Sequence, residues 1–133
     1  MFKAIAPACL ALALATPALA DEAWNSPTGP IIYQEDAFGS AILSFTNVDG
    51  SAAELVIPGL AGNSTERGVH HGYFIGQGPL ECDAAMARPG GLASLDWGRA
   101  IVSFDRPTFP TGFTVTMGDC DYPLSYSIRA DLQ

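Results

Sequence analysis

Ala41-Ile42-Leu43-Ser44-Phe45-Thr46-Asn47-Val48-Asp49-Gly50-Ser51-Ala52-Ala53-Glu54-Leu55-Val56-Ile57 is the stretch that decides the fold class. Leu43 and Phe45 alternate with Ser44 and Thr46, and Leu55 and Ile57 return the same pattern after the break. Successive side chains of a strand point to opposite faces, so this alternation gives one apolar face and one wet face. Between the two runs, Asn47 to Gly50 ends in Asp-Gly, a pair that tolerates positive φ and closes hairpins. The stretch therefore reads as a β-hairpin, with strands over 41–46 and 53–57.

Working outward, Ile31 to Tyr33 begins an earlier strand. Residues 21–30, with Asn25, Ser26, Pro27, Gly29 and Pro30, read as an irregular lead-in. Downstream, 58–68 is a loop, and 71–77 and 80–87 are expected as two strands across Gly78-Pro79. Arg88-Pro89-Gly90-Gly91 breaks the chain. Alternation resumes over 99–105. Past Pro107 and Pro110 it recurs at Phe113, Val115 and Met117, and again over 124–129. Seven or eight short strands at near-regular spacing predict an all-β domain, either a small antiparallel β-sandwich or a closed β-barrel. The expected seam is Leu43, Phe45, Leu55, Ile57, Val102, Phe104, Phe113, Val115, Met117, Tyr126 and Ile128.

The start of the chain has a different character. Met1-Phe2-Lys3 supplies one positive charge, Ala4 to Ala15 is apolar, and Ala18-Leu19-Ala20 precedes Asp21. This order reads as a cleavable signal peptide over 1–20, leaving one domain over 21–133. The apolar run is far shorter than the ~20 residues of a membrane-spanning helix. Cys9 falls inside that run rather than at the cleavage point, which argues against a lipid anchor. No later segment is long and apolar enough to be an integral membrane helix. The short n-region reads as bacterial, so the expected destination is the periplasm or the medium. Asn63-Ser64-Thr65 fits the glycosylation acceptor pattern, which matters only on a eukaryotic secretory route.

After residue 20 the positive charges are Arg67, Arg88, Arg99, Arg106 and Arg129, with no lysine. These five arginines against fourteen carboxylates leave a formal charge of −9. Nucleic acid and anionic lipid require a basic surface, so this balance excludes both as partners. Cys82 and Cys120 remain as an even pair, which in an exported chain reads as a disulfide. Such a bridge would contribute about 3–4 kcal/mol by restricting the unfolded chain. The long gap between them, with no Cys-x-x-Cys, does not suit zinc or redox catalysis.

Three sets of residues are candidates for chemistry. Both cysteines are flanked by acids, Glu81-Cys82-Asp83 and Asp119-Cys120-Asp121. If each cysteine lies in extended chain, all four carboxylates emerge beside the bridge. Calcium, which takes six to eight oxygen ligands, is then the natural cation. If Gly118 and Pro123 instead impose a turn, the acids splay into water. His70-His71 would point to opposite faces of a strand but could chelate together on a loop. Trp24, Tyr73 and Trp97, with the two histidines, form a candidate surface for a protein or saccharide partner. No Gly-x-Ser-x-Gly elbow or other catalytic motif is present, and no catalytic residue is assigned. The first reading is an exported, acidic, non-catalytic binding module, with an inhibitor of a foreign enzyme as one form of it. The alternatives are a calcium-stabilised structural domain and, third, a small periplasmic enzyme.

Overall fold

The computed structural model describes residues 22–63, 65–91 and 93–133. The expected signal peptide and Ser64 lie outside the described residues. Ten strands follow one another, with no helix among the described residues: β1 (Ala23–Asn25), β2 (Ile31–Ala37), β3 (Ser40–Thr46), β4 (Ala52–Pro58), β5 (Val69–Gly76), β6 (Met86–Ala87), β7 (Ala93–Ser94), β8 (Trp97–Phe104), β9 (Phe113–Met117) and β10 (Tyr126–Leu132). Eight of them close into an antiparallel barrel in the order β1-β10-β9-β8-β5-β4-β3-β2, while β6 and β7 form a separate small hairpin. The closed barrel, rather than the sandwich, is the architecture.

The founding hairpin forms as its alternation requires. β3 and β4 pair without a slip from Ser40↔Pro58 to Thr46↔Ala52. Every residue of the expected seam is buried in one cluster except Tyr126, which is half-buried and packs against it. An eight-stranded barrel has an interior just wide enough for side chains to fill it. Here Trp24, Ile31, Leu43, Leu55, Phe74 and Phe113, each at most 1% exposed, do so.

Two expectations are corrected. The lead-in contains β1, and Trp24 is 1% exposed, so it has no face to offer a partner. Closing the barrel needs a strand between β2 and β10, and three residues supply it. Trp24 pairs with Leu132 on one side and Ile31 on the other. Its indole packs edge-on against Phe113 at 5.0 Å and donates from Nε1 to the Thr111 carbonyl at 2.9 Å. A strand this short, next to a Ser-Pro-Thr-Gly turn, carries no periodicity to read. Second, 80–87 is not a strand apart from Met86–Ala87. Residues 77–96 leave the barrel between β5 and β8 and fold back over its outer wall. Ser94 Oγ donates to the Gly76 carbonyl at 2.8 Å, and Arg88 pairs with Glu54 at 2.7 Å and with Glu35. This cover accounts for the burial of Ile42, Val56 and Ile75, which point away from the barrel interior.

Truncating the closing residue should therefore unfasten the barrel. Trp24→Ala is expected to lose about 3–5 kcal/mol of stability, the usual cost of emptying a large aromatic site in a core. Trp24→Phe, which loses the Thr111 bond but keeps most of the volume, should lose less. Urea unfolding of the three proteins measures the order.

Candidate functional site

The register sorts the loops into two ends. The turn 47–51, the two bases of the excursion 77–96 and the loop 118–125 lie at one end, and the excursion runs back along the outer wall as far as Phe38. The turn at Phe38-Gly39, the loops 59–68 and 105–112 and residues 22 and 133 lie at the other, which we call the terminal end.

At the first end Cys82 and Cys120 are bridged, with Cα atoms 5.5 Å apart. The bridge ties the excursion to the 118–125 loop. Neither cysteine lies in a strand, and Cys120 sits at φ 53°, in a turn where Tyr122 N donates to the Asp119 carbonyl at 2.9 Å. The extended geometry that would have gathered four carboxylates is therefore absent. Glu81, Asp83 and Asp121 line a shallow recess of about 200 Å³ beside the bridge, whereas Asp119 lines the neighbouring recess with Asp49 and Asp96. Among the described residues no group of three or more His, Cys, Asp or Glu side chains is placed to hold a metal ion. The expected calcium cluster does not assemble.

Asp96 is the residue that sequence reasoning missed here. It is 5% exposed and sits at the base of the excursion, accepting at Oδ2 from Gly78 N at 2.5 Å, while its carbonyl accepts from Gly76 N at 2.8 Å. A side chain at Gly76 would begin 2.5 Å from that carboxylate, so glycine lets it sit there undisturbed. Burial raises the Asp96 pKa above the ordinary aspartate value, the Gly78 amide opposes the rise, and the negative charges of Asp49 and Asp119 add to it.

The expected partner surface is dispersed. His70 and His71 both lie on β5, so they face opposite ways. His70 is half-buried, edge-on to Phe104 at 6.2 Å, with Nε2 3.3 Å from the Glu66 carbonyl, and His71 is exposed. They do not converge on one ligand. Tyr73 donates its hydroxyl to the Ala87 carbonyl at 3.0 Å, and Trp97 donates Nε1 to the Ala84 carbonyl at 2.7 Å. Both of these aromatics fasten the excursion to the barrel.

At the terminal end Arg67 is 4% exposed and makes a bidentate pair with Glu22, with both contacts 2.8 Å. Its guanidinium lies 5.4 Å from the Phe104 ring centre and 5.1 Å from that of Phe109. A buried arginine is tolerable only with such partners. Beside it Tyr33 donates to Asp36. Desolvation, reinforced by that bond and the Asp36 charge, pushes the phenol well above its usual range. These groups border a recess of about 330 Å³. Around the same end stand the exposed apolar side chains of Phe38 (88%), Val69 (64%) and Phe109 (44%). A larger groove of about 580 Å³ runs between the outer wall of β3 and β4 and the folded-back excursion, bordered by Ser44, Glu54, Gln77 and Arg88.

Fold and site together define a small disulfide-bonded, eight-stranded antiparallel barrel, filled by its own side chains, whose chemistry is carried on its loops. The chain matches no protein-family model, no curated protein and no solved structure. Its function is therefore argued from this geometry.

Two outcomes are expected for the disulfide end. The melting midpoint should be the same in EDTA and in millimolar calcium, whereas a site of ~0.1 mM affinity would raise it by several degrees. Asp96 binds its proton more tightly in the folded state, so this group's contribution to stability falls as pH rises above 3.8 through the raised value. Asp96→Asn lacks that loss. Its stability relative to the parent should climb as pH rises toward neutrality, and urea midpoints at stepped pH that stay parallel would refute the assignment.

Proposed function

We propose that this protein is an exported, non-catalytic interaction module that binds a protein partner through the terminal end of its barrel. The observation that carries the reading is the exposure of Phe38 (88%), with Val69 and Phe109 at the same end, on a chain whose interior is already filled; Val48, Leu95 and Tyr122 are exposed at the other end, each less than Phe38. A large aromatic side chain left almost wholly in water, with further apolar groups beside it, is a mark of a contact surface. A protein suits this end better than a saccharide. Trp24, Tyr73 and Trp97, three of the aromatics that could stack on sugar rings, are engaged in closing the barrel or holding the excursion, and the exposed groups of the terminal end include the aliphatic Val69 beside Phe38 and Phe109. The formal charge of −9 over residues 21–133 favours a basic partner, because opposite fields speed encounter. Export is supported by the signal-like residues 1–20 and by the disulfide, a bond of oxidising compartments.

The chain has no lysine after Lys3, so apart from α-amino groups a carbodiimide can join its carboxylates only to lysines of another protein. The full chain, secreted and purified, is incubated with the exported proteins of its host, cross-linked in this way and mapped by mass spectrometry. Joins to a specific protein are expected at Asp36 and Glu66, on the terminal end. Joins confined to Glu81, Asp83 or Asp121 would place the contact at the disulfide end and refute the proposal.

A further inference from the structure

We infer that Phe38 is the anchor of this contact, a rigid aromatic knob that enters an apolar cleft on a basic protein. The inference rests on the proposed binding role and names the residue and the kind of partner. Ala37 and Ser40 are the last pair of the β2–β3 hairpin, so Phe38 and Gly39 alone make the turn. Both have positive φ, 50° and 84°. A two-residue turn of this hand matches the twist of the strands and calls for Asn-Gly or Gly-Gly. Glycine at 39 meets the demand. Phenylalanine at 38 does not, since a bulky side chain is disfavoured in the left-handed region.

The same residue carries a second penalty. The residue is 88% exposed, and a near neighbour is Gly90 in the excursion, where an added Cβ would stand 3.4 Å from Phe38 Cε2. One substitution, to asparagine, would relieve both the backbone and the solvent cost without touching the core. A residue held against both costs points to a role outside the folding of the chain.

The setting fits an anchor. The Gly39 carbonyl accepts from Gly59 N at 3.0 Å and Ala61 N at 3.4 Å, so the turn is braced from below. An aromatic with few rotatable bonds on a braced turn loses little entropy on binding, which is why such residues dominate contact energies. The carboxylates of Glu35 and Asp36 lie just before it on β2, the first paired with Arg88 and the second held by Tyr33. Arg88 neutralises Glu35, so it is Asp36, together with the net charge of the chain, that favours a cleft rimmed by lysine or arginine. An anionic membrane and a second copy of this chain both carry the repelling sign.

The test compares the secreted wild type with Phe38→Asn and Phe38→Tyr. Phe38→Asn should melt about 3–6 °C higher, so any loss of binding is not loss of fold. An exported protein retained on the wild type is purified and titrated against all three. The expected partner is basic, binds Phe38→Asn about thirty-fold or more weakly, and keeps most of its affinity for Phe38→Tyr. Equal affinity for Phe38→Asn, or an acidic partner, overturns the anchor while the binding module stands. No protein retained by the wild type overturns both. Sedimentation of the wild type as a dimer that Phe38→Asn abolishes, or its capture by phosphatidylcholine vesicles, overturns the choice of partner. A Phe38→Asn protein that melts lower overturns the strain on which the inference is built.

Discussion

The fold depends on a seam of three residues. β1 is the strand through which the sheet meets itself, hydrogen-bonded to β2 on one edge and β10 on the other. Without it two long edges of unpaired backbone groups would face water, the condition that invites aggregation. Pairing this short cannot hold by backbone bonds alone. Trp24 adds a fully buried indole over Phe113 and a bond to the Thr111 carbonyl. Glu22, just before β1, adds the bidentate pair with Arg67. Breaking one partner of such a buried pair leaves an uncompensated charge, at a cost of about 3–5 kcal/mol. Closure thus joins the first described residues to the core, to the 59–68 loop and to the 105–112 loop at once.

Closure also divides labour between the two ends. Tyr73, Trp97, Asp96, Arg88 and the Cys82–Cys120 bridge hold the 77–96 excursion against the wall. An excursion of this length with two short strands of its own needs many such ties, because it cannot bury a core alone. At the terminal end the interior is sealed by Arg67 and its aromatic partners, while Phe38 and Val69 are left exposed.

The candidate sites were legible only as far as local geometry reached. The acid-Cys-acid triplets promised a carboxylate cluster on the condition of extended chain, and one positive φ at Cys120 removed it. His70 and His71 obeyed strand alternation and parted. Asp96 has no sequence signature, because what buries it arrives from Gly76 and Gly78 on the far side of the excursion. Phe38 had a faint signal, an aromatic before Gly39 between two alternating runs, yet its exposure could not be read from the residues themselves.

The sequence by itself determined the all-β class, the β3–β4 hairpin, the inward seam from Leu43 to Ile128 and the pairing of Cys82 with Cys120. Each of these follows from period-two alternation, turn chemistry or a cysteine count, which are properties of short segments or of composition. Tertiary structure alone decided that the sheet closes into a barrel, that Trp24 is a keystone rather than a contact residue, and that 77–96 becomes a cover. It also decided that Phe38 is left in water. These depend on partners far apart in the chain, such as Trp24 with Leu132 and Gly76 with Asp96, and no local pattern encodes which distant strand a segment will meet.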